Sequence, residues 1–156
     1  MKMKKKRKKV VLHRLRRNKS NKEWRSILER VPEGSSSLSR AYQLTRRASR
    51  VGFDWPTMAG VLNKLDEEMR EFREALSLQN RRRIFEEIGD LLFVMANVSR
   101  FLKIDPEEAL KKTLEKFISR FHYIEFSLHQ EGKSFRQSNL IEMDRLWEES
   151  KLKGSG

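Results

Sequence analysis

The sequence predicts an all-α fold, a helical bundle of four to five helices, on three observations. Apolar residues recur every three or four positions along the long segments that follow residue 35. Residues that start and stop helices separate those segments. No segment alternates apolar and polar residues as a half-buried strand does. A chain of 156 residues is expected to fold around one core.

The N-terminal arm, residues 1–34, is set apart by its charge. It holds 14 Lys and Arg against 3 Asp and Glu, so it supplies +11 of the net charge of +13. Like charges at this density favour disorder. The arm is either a solubilising tail or a weak, salt-sensitive contact for nucleic acid or anionic surfaces. Near its end, Trp24, Ile27, Leu28 and Val31 have the spacing of a short amphipathic helix.

Helices are predicted to follow through residues 35–152, and a flexible tail closes the chain at 153–156. Serines before Leu38 offer caps for a first helix that reaches about Val51, where GFDWP breaks it. Later helices are predicted to begin at Thr57, at about Arg81, at Pro106 after the cap Asp105, and at about Leu140. The apolar stripes expected to face the core are Val61, Leu62, Leu65, Met69, Phe72 and Leu76 in the second helix, Ile84, Ile88, Leu91, Leu92 and Met95 in the third, and Leu110, Leu114, Phe117, Phe121, Ile124 and Leu128 in the fourth.

Two carboxylate pairs define a candidate site. Glu68 and Glu71 are three residues apart in one predicted helix, and Glu87 and Asp90 are three apart in the next, so each pair lies on one helix face. In an antiparallel hairpin, residues at equal height have position numbers with a constant total. The position numbers of Glu71 and Glu87 add up to the same value as those of Glu68 and Asp90. Each of these two pairs therefore lies at one height if the bend is at position 79. Four converging carboxylates with no Lys or Arg interleaved would repel unless a cation lay between them, and an all-oxygen set favours Mg²⁺ or Mn²⁺.

These residues also have ordinary structural interpretations. A single Glu-x-x-Glu pair is usually a solvated surface, but two pairs at one height are not explained that way. Glu67 and Glu71 form a like-charge pair that weakens a helix, so local helix stability does not explain the cluster. Asp90 stands among apolar residues and is expected to be partly buried. Asn97, on a neighbouring face, could be only an interhelical hydrogen-bonder.

The predicted fourth and fifth helices carry positive and aromatic side chains. Lys116 and Arg120 are spaced i,i+4 and project from one side of the fourth helix, and Lys151 lies one turn after Trp147. Taken singly, each cation could be an ordinary exposed residue. Trp147, like Trp55, could be core or rim packing.

Composition excludes several other classes of function. With no cysteine, the chain has neither disulfides nor thiolate chemistry. The three histidines lack metal-ligand spacing, and no serine stands in a nucleophile motif. No apolar run is long enough to span a membrane. We therefore expect a cytoplasmic protein without membrane contact.

Taken in order, the segments resemble a known family. The order AYQLTRRASRVGFDW, KLDEEMREFREAL, EEIGDLLFVMANVSRFLKIDPEEAL, EKFISRFHYIE and EMDRLWEESK closely resembles the C-terminal catalytic domain of MazG-type nucleoside triphosphate pyrophosphohydrolases, over about residues 21–152. The resemblance implies a MazG-like catalytic helical domain at 35–152 that forms a homodimer. It also implies Mg²⁺-dependent hydrolysis of nucleoside triphosphates to the monophosphate and pyrophosphate.

The resemblance assigns roles to the candidate residues. Glu68, Glu71, Glu87 and Asp90 match the metal ligands, and Glu67 completes the motif. A water activated by the metal is then expected to attack the α-phosphorus, with Glu67 and Glu68 as the catalytic residues and Glu67 orienting or deprotonating that water. The positions that match residues around the nucleotide are Asn97, Lys116, Arg120, Trp147 and Lys151.

Two rival functions stay open at this point. In one, the bundle is a catalytically inactive scaffold, and the basic arm makes the chain a nucleic-acid-binding or interaction module. In the other, the chain is a related all-α pyrophosphohydrolase that acts on one specialised nucleotide. The sequence does not choose a base or a sugar, because stacking on Trp147 or Trp55 tolerates any base.

Overall fold

The computed structural model describes residues 25–29, 31–32 and 34–153. These ranges contain no strand, and none of their helices combines the length and apolar character needed to cross a lipid bilayer. The all-α prediction and the order of the helices are confirmed. The helices are α1 Ser37–Ser49, α2 Met58–Ser77, α3 Arg81–Phe101, α4 Pro106–Gln130 and α5 Leu140–Lys153, with a 3-10 turn at Phe135–Gln137 before α5.

The described part of the predicted arm contains no helix. Residues 27–29 form a turn, so the short amphipathic helix predicted around them is wrong at these positions. A helix this short is marginal by itself, and Pro32 follows closely. Residues 1–24 lie outside the described residues, as do the arm's predicted disorder and its partners, and so does the end of the predicted tail, 154–156. The compact unit that carries the candidate site begins at Val31.

A tight bend joins α2 to α3 and sets their relative height. Gln79 has a left-handed backbone (φ 48°). The Asn80 amide donates to the Ala75 carbonyl at 3.1 Å, as in a Schellman motif. The Asn80 side chain then accepts a bond from the Arg83 amide at 3.2 Å and begins α3. The bend therefore lies at position 79, as the spacing of the carboxylates predicts.

The loop between α1 and α2 is held against α2 by a tryptophan. Gly60 lies beneath the Trp55 ring, and a Cβ atom at Gly60 would stand only 2.7 Å from Trp55 Cδ1. Only glycine allows this close approach. Trp55 therefore packs on the rim of the domain, which is the structural interpretation considered for it.

The helices form two groups. In the first, α2 and α3 pair along their length, and α1 packs on α3. In the second, α4 pairs with α5 around the buried Ile124, Leu128 and Leu146, with Tyr123, Met143 and Trp147 against them. Contacts from α1 and α3 to α4 are limited. The domain is thus a three-helix group and a helix pair, joined over a smaller area.

The predicted apolar stripes are buried only in part. Val61, Ile124 and Leu128 are buried as expected. Many others are exposed, because α1 covers only one side of the α2–α3 hairpin and no described element covers the other. The exposed members of the predicted stripes are Leu62, Leu76, Ile88, Leu92, Met95, Leu110, Leu114, Phe117 and Phe121. An apolar area of this extent is typical of an interaction surface.

Candidate active site

The hairpin brings three carboxylates together. One oxygen each from Glu68 and Glu71 on α2 and from Glu87 on α3 lie within 4.8 Å of one another. Glu68 is 6% exposed and Glu87 is 7% exposed, whereas Glu71 is half-buried. Glu71 and Glu87 lie at the same level of the two paired helices, so carboxylates from both helices come together there.

Among these three carboxylates, Glu87 is the one with a buried oxygen that lacks a hydrogen bond within the described part of the chain. Its Oε2 atom is buried and has no hydrogen-bond partner among the described residues. Burial raises the pKa of Glu87 most strongly, and the charges of Glu71, Glu68 and Asp90 raise it further. Arg83 opposes these effects, but only across 4.0 Å from its Nε to Glu87 Oε1. A buried carboxylate oxygen in this state lacks a positive partner.

The geometry suits a hard cation. Three carboxylate oxygens that lie within 4.8 Å of one another could close on one divalent cation by small side-chain rotations. An ion there would also satisfy Glu87 Oε2, which no described group does. The residues present therefore fit a divalent cation bound by oxygen.

Asp90 does not join this cluster in the single chain. Its side chain is exposed, so the prediction of partial burial is wrong. The surrounding face of α3, which includes Gly89 and Phe93, is exposed as well. Apolar neighbours in sequence bury a residue only when another element covers their face. Asp90 is still close enough for its charge to raise the pKa of Glu87.

Two cations accompany the carboxylates, contrary to the expectation that none is interleaved. Lys64 Nζ lies 2.5 Å from Glu68 Oε1 and 2.9 Å from Glu67 Oε1, and these bonds raise the pKa of Lys64. Arg83 bonds Glu74 across the hairpin at 3.3 Å. Sequence reasoning missed these partners. The sequence did contain a signal, because Lys64 precedes Glu68 by four residues and Arg83 precedes Glu87 by four.

A second cluster is positive and lies between α4 and α5. Its cavity has a volume of about 600 Å³. Three of the predicted nucleotide-binding residues, Lys116, Arg120 and Lys151, line it together. The full lining is Lys112, Glu115, Lys116, Ser119, Arg120, Ser150 and Lys151. None of the carboxylates of the acidic cluster belongs to it.

Trp147 borders this cavity through Arg120. The Arg120 guanidinium carbon lies 5.5 Å from the centre of the Trp147 ring, a cation–π distance. Phe117 packs on the same tryptophan with ring centres 5.5 Å apart. Trp147 therefore has the packing role considered for it, and it also holds Arg120 at the cavity.

Asn97 belongs neither to the acidic cluster nor to the lining of the cavity. It is 3% exposed on α3, and its Oδ1 accepts a bond from Arg100 Nε at 2.8 Å. Arg100 also bonds Asp54 in the loop before α2. Sequence reasoning missed Arg100. Its i,i+3 spacing from Asn97 was visible, but a partner 46 residues away was not.

Comparison with known proteins shows which family the chain resembles. Residues 57–124 match the family model of the MazG nucleotide pyrophosphohydrolase domain. The chain is 41% identical over 115 residues to the nucleoside triphosphate pyrophosphohydrolase/pyrophosphatase MazG of Thermotoga maritima, covering 74% of this chain and 44% of that protein. It is 35% identical over 137 residues to the nucleoside triphosphate pyrophosphohydrolase of Escherichia coli K12, covering 85% of this chain and 51% of that protein.

A shorter match reaches a protein of unknown role. The chain is 51% identical over 65 residues to the uncharacterized protein YabN of Bacillus subtilis, covering 42% of this chain and 13% of that protein. The chain spans about half the length of the two pyrophosphohydrolases. The family-model match includes Glu68, Glu71, Glu87 and Asp90. The chain belongs to the MazG family of nucleotide pyrophosphohydrolases.

Proposed function

We propose that this chain hydrolyses nucleoside triphosphates to the nucleoside monophosphate and pyrophosphate in a reaction that depends on Mg²⁺, with Mn²⁺ as a substitute. The observation that carries the proposal is the convergence of Glu68, Glu71 and Glu87 around a buried, unpartnered oxygen. Two relatives whose names state this activity support it. Clustered carboxylates without a cation would repel both one another and a triphosphate.

The three clustered carboxylates would hold the ion, and Asp90 would complete the set by rotating its exposed side chain toward it. When bound, Mg²⁺ offsets the charge of the phosphates and lowers the pKa of a water. Lys64 keeps one oxygen of Glu68, at 2.5 Å, and leaves the other for the ion.

Glu67 is the residue proposed to orient and deprotonate the attacking water. It lies beside the cluster and receives a bond from Lys64 at 2.9 Å on one oxygen, which leaves its second oxygen to accept a proton. The water oxygen forms a bond to the α-phosphorus, and the bond from that phosphorus to the bridging oxygen of pyrophosphate breaks. Pyrophosphate carries away the electron pair of the broken bond.

The positive cavity would hold the triphosphate. Lys116, Arg120 and Lys151 line one space, and fixed positive charge there offsets the charge that develops on the leaving pyrophosphate. Trp147 and Asn97 are assigned to the nucleoside and its neighbouring atoms. A Trp147 ring already stacked by Arg120 would contact a base without selecting it.

The active form is proposed to be a homodimer. α3 exposes large apolar side chains, among them Phe85 at 80% exposure, Leu92 and Phe93, and a second copy would cover them. The acidic cluster and the positive cavity lie on different helix pairs of one chain. A dimer in which one copy's cavity faces the other's carboxylates would complete two sites.

Mixing two impaired variants tests this arrangement at nucleotide concentrations well below KM, where each variant turns over slowly by itself. Co-purified E87Q and R120M chains should regain a substantial part of wild-type turnover if each site draws on both copies, because some mixed dimers then hold one intact site. Light scattering should give the mass of a dimer. A monomer of full activity, or a mixed dimer with no regained turnover, contradicts the shared site.

The reaction itself is tested with a panel of ribo- and deoxyribonucleoside triphosphates, with products identified by phosphorus NMR. Wild type should release monophosphate and pyrophosphate with Mg²⁺ or Mn²⁺ and nothing in EDTA. E68Q and D90N should lose turnover, and E86Q, which changes an exposed neighbour, should keep it. Diphosphate and phosphate as products, or turnover in EDTA, contradict the proposal. Turnover confined to one nucleotide identifies a specialised enzyme.

A further inference from the structure

The guanidinium group of Arg100 bonds two side chains, Asp54 in the loop before α2 and Asn97 on its own helix. NH1 and NH2 bond the two oxygens of Asp54 at 2.9 and 2.6 Å, and Nε bonds Asn97 Oδ1 at 2.8 Å. The Arg100 side chain is 9% exposed and that of Asp54 is 25% exposed. The loop before α2 is thereby tied to the last turns of α3 through a fork that uses both ends of the guanidinium.

The bond to Asn97 fixes which way its amide faces. A guanidinium group only donates, so the amide atom that faces Arg100 must be the oxygen. The NH₂ group of Asn97 then lies on the other side of the amide carbon. Among the described residues, no acceptor bonds this NH₂ group, although Asn97 is 3% exposed. Among the described residues, the fully buried polar side-chain atoms without a partner are Arg40 Nε and Glu87 Oε2, so the Asn97 nitrogen keeps some contact with the surface and is available to a ligand.

We infer that Arg100 and Asp54 are positioning residues that turn the NH₂ group of Asn97 toward an acceptor atom of the bound nucleotide. The inference rests on the proposed function, which places Asn97 beside the nucleotide, and adds how that side chain is oriented and what it recognises. Without Arg100, the amide could rotate by half a turn and present its oxygen, which a phosphate or a carbonyl repels.

A purely structural tie would not need this third bond. Asp54 already receives two bonds from Arg100 and accepts one from the Trp55 amide at 2.9 Å, so the loop is anchored without Asn97. Asn97 bonds a residue on its own helix and no residue of another described helix. Its amide therefore does not serve as the interhelical link considered for it.

The inference is tested by a double-mutant cycle on binding of α,β-methylene ATP, an analogue that cannot be cleaved between the α and β phosphates. R100M and N97A should each weaken binding about tenfold, the typical size of one hydrogen bond to a charged ligand. The double variant should be no weaker than N97A alone, because Arg100 acts through Asn97. N97D, which still accepts from Arg100 but presents no donor, should bind at least as weakly as N97A.

Further measurements separate orientation from loss of structure. R82M removes an arginine of the same helix that bonds the exposed Glu86 at 3.1 Å, and this variant should bind the analogue as wild type does. In turnover assays R100M should raise KM with kcat within about twofold, as expected when ground and transition states lose the same contact. If R100M does not fold, R100K and D54N replace it in the double-mutant cycle. Each weakens the paired hydrogen bonds between Arg100 and Asp54 and keeps a polar side chain at its position.

Inorganic tripolyphosphate identifies the acceptor. If R100M weakens binding of this compound as much as binding of the nucleotide analogue, the acceptor is a phosphate oxygen. If R100M weakens binding of the nucleotide analogue alone, the acceptor belongs to the base or the sugar. An undiminished R100M penalty in the N97A background overturns the inference while leaving the proposed function intact. If wild type neither binds the analogue nor releases pyrophosphate, the proposed function fails and the inference falls with it.

Discussion

The α2–α3 hairpin and the α4–α5 pair are built alike but present side-chain clusters of opposite charge. In each, two antiparallel helices are joined after a residue with a left-handed backbone, Gln79 in the first and Gly132 in the second. The hairpin presents buried carboxylates close together. The α4–α5 pair presents cations around an open cavity of about 600 Å³. Neither cluster alone would suffice for the proposed reaction. The acidic residues alone would repel a triphosphate, and the basic residues alone could not hold a metal ion.

The comparison also shows two ways of placing a charge. Glu68 and Glu87 are buried, and their distance is fixed by the height of two consecutive helices. Lys116 is exposed and Arg120 is held by Trp147. We expect the acidic half to be sensitive to single changes and the basic half to be more tolerant.

The largest effect is expected from the buried acid. E87Q should lower turnover about a thousandfold, because the loss of one ligand removes several kcal/mol of transition-state stabilisation by the ion. In EDTA the same variant should melt at a higher temperature than wild type, since it removes a charge that burial and Glu71 disfavour. Steady-state turnover in Mg²⁺ measures the first effect, and thermal melts in EDTA measure the second.

E86Q is the matched control for E87Q. It changes the adjacent carboxylate, which is exposed and bonds Arg82 at 3.1 Å, so turnover and melting temperature should stay near wild type. Equal effects of E86Q and E87Q would mean that burial in the cluster is not what distinguishes them.

A smaller effect is expected in the basic half. R120M should raise KM about tenfold, because it removes one charge from the cavity and the cation–π contact with Trp147. K111M removes an exposed lysine of α4 that does not line the cavity, and KM should not change. Steady-state kinetics with saturating Mg²⁺ measures the difference. A larger loss for K111M would place the nucleotide elsewhere.

The acidic half should also respond to pH. The pKa of Glu87 is raised in the folded chain, so the folded state binds more protons than the unfolded state between the ordinary Glu pKa and the raised one. Metal-free stability contributed by this group should fall as pH rises through that window, and E87Q should not show the fall. Binding of Mg²⁺ should strengthen over the same window, because the ion competes with the proton. Melting curves across pH, in EDTA and in Mg²⁺, check both signs.

Much of the fold and half of the site follow from the sequence, for physical reasons. Helix starts and stops are local, so Asp105 and the bend at Gln79 were predictable. The clustering of Glu68, Glu71 and Glu87 needed only helix geometry and that bend. The exposure of Asp90 and of the apolar stripes was not predictable, because burial depends on which element, or which second chain, covers a helix face.

The remaining part depends on distant contacts. Asp54 and Arg100 are separated by 46 positions, and nothing in either segment specifies the other. The cavity at Arg120 likewise exists only because α5 returns beside α4. The ion pair of Lys64 with Glu68 is local, in contrast, and its i,i+4 spacing is visible in the sequence.

The smallest effect is expected at the edge of the hairpin group. G60A would place a Cβ atom 2.7 Å from Trp55 Cδ1 and displace the ring, which should cost about 1 to 2 kcal/mol of stability. The penalty should largely vanish in a W55A background, where the ring is absent. Urea unfolding of the four chains measures the coupling. An unchanged penalty without Trp55 would place the strain elsewhere.

The central claim is that Glu68, Glu71 and Glu87 bind the ion on which turnover depends. Anomalous diffraction from crystals soaked with Mn²⁺, with and without α,β-methylene ATP, tests it most directly. The predicted result is a manganese peak between these three side chains, about 2.0 to 2.3 Å from their nearest oxygens. A fully occupied manganese site elsewhere in the chain, with no peak at the carboxylates, would contradict the account.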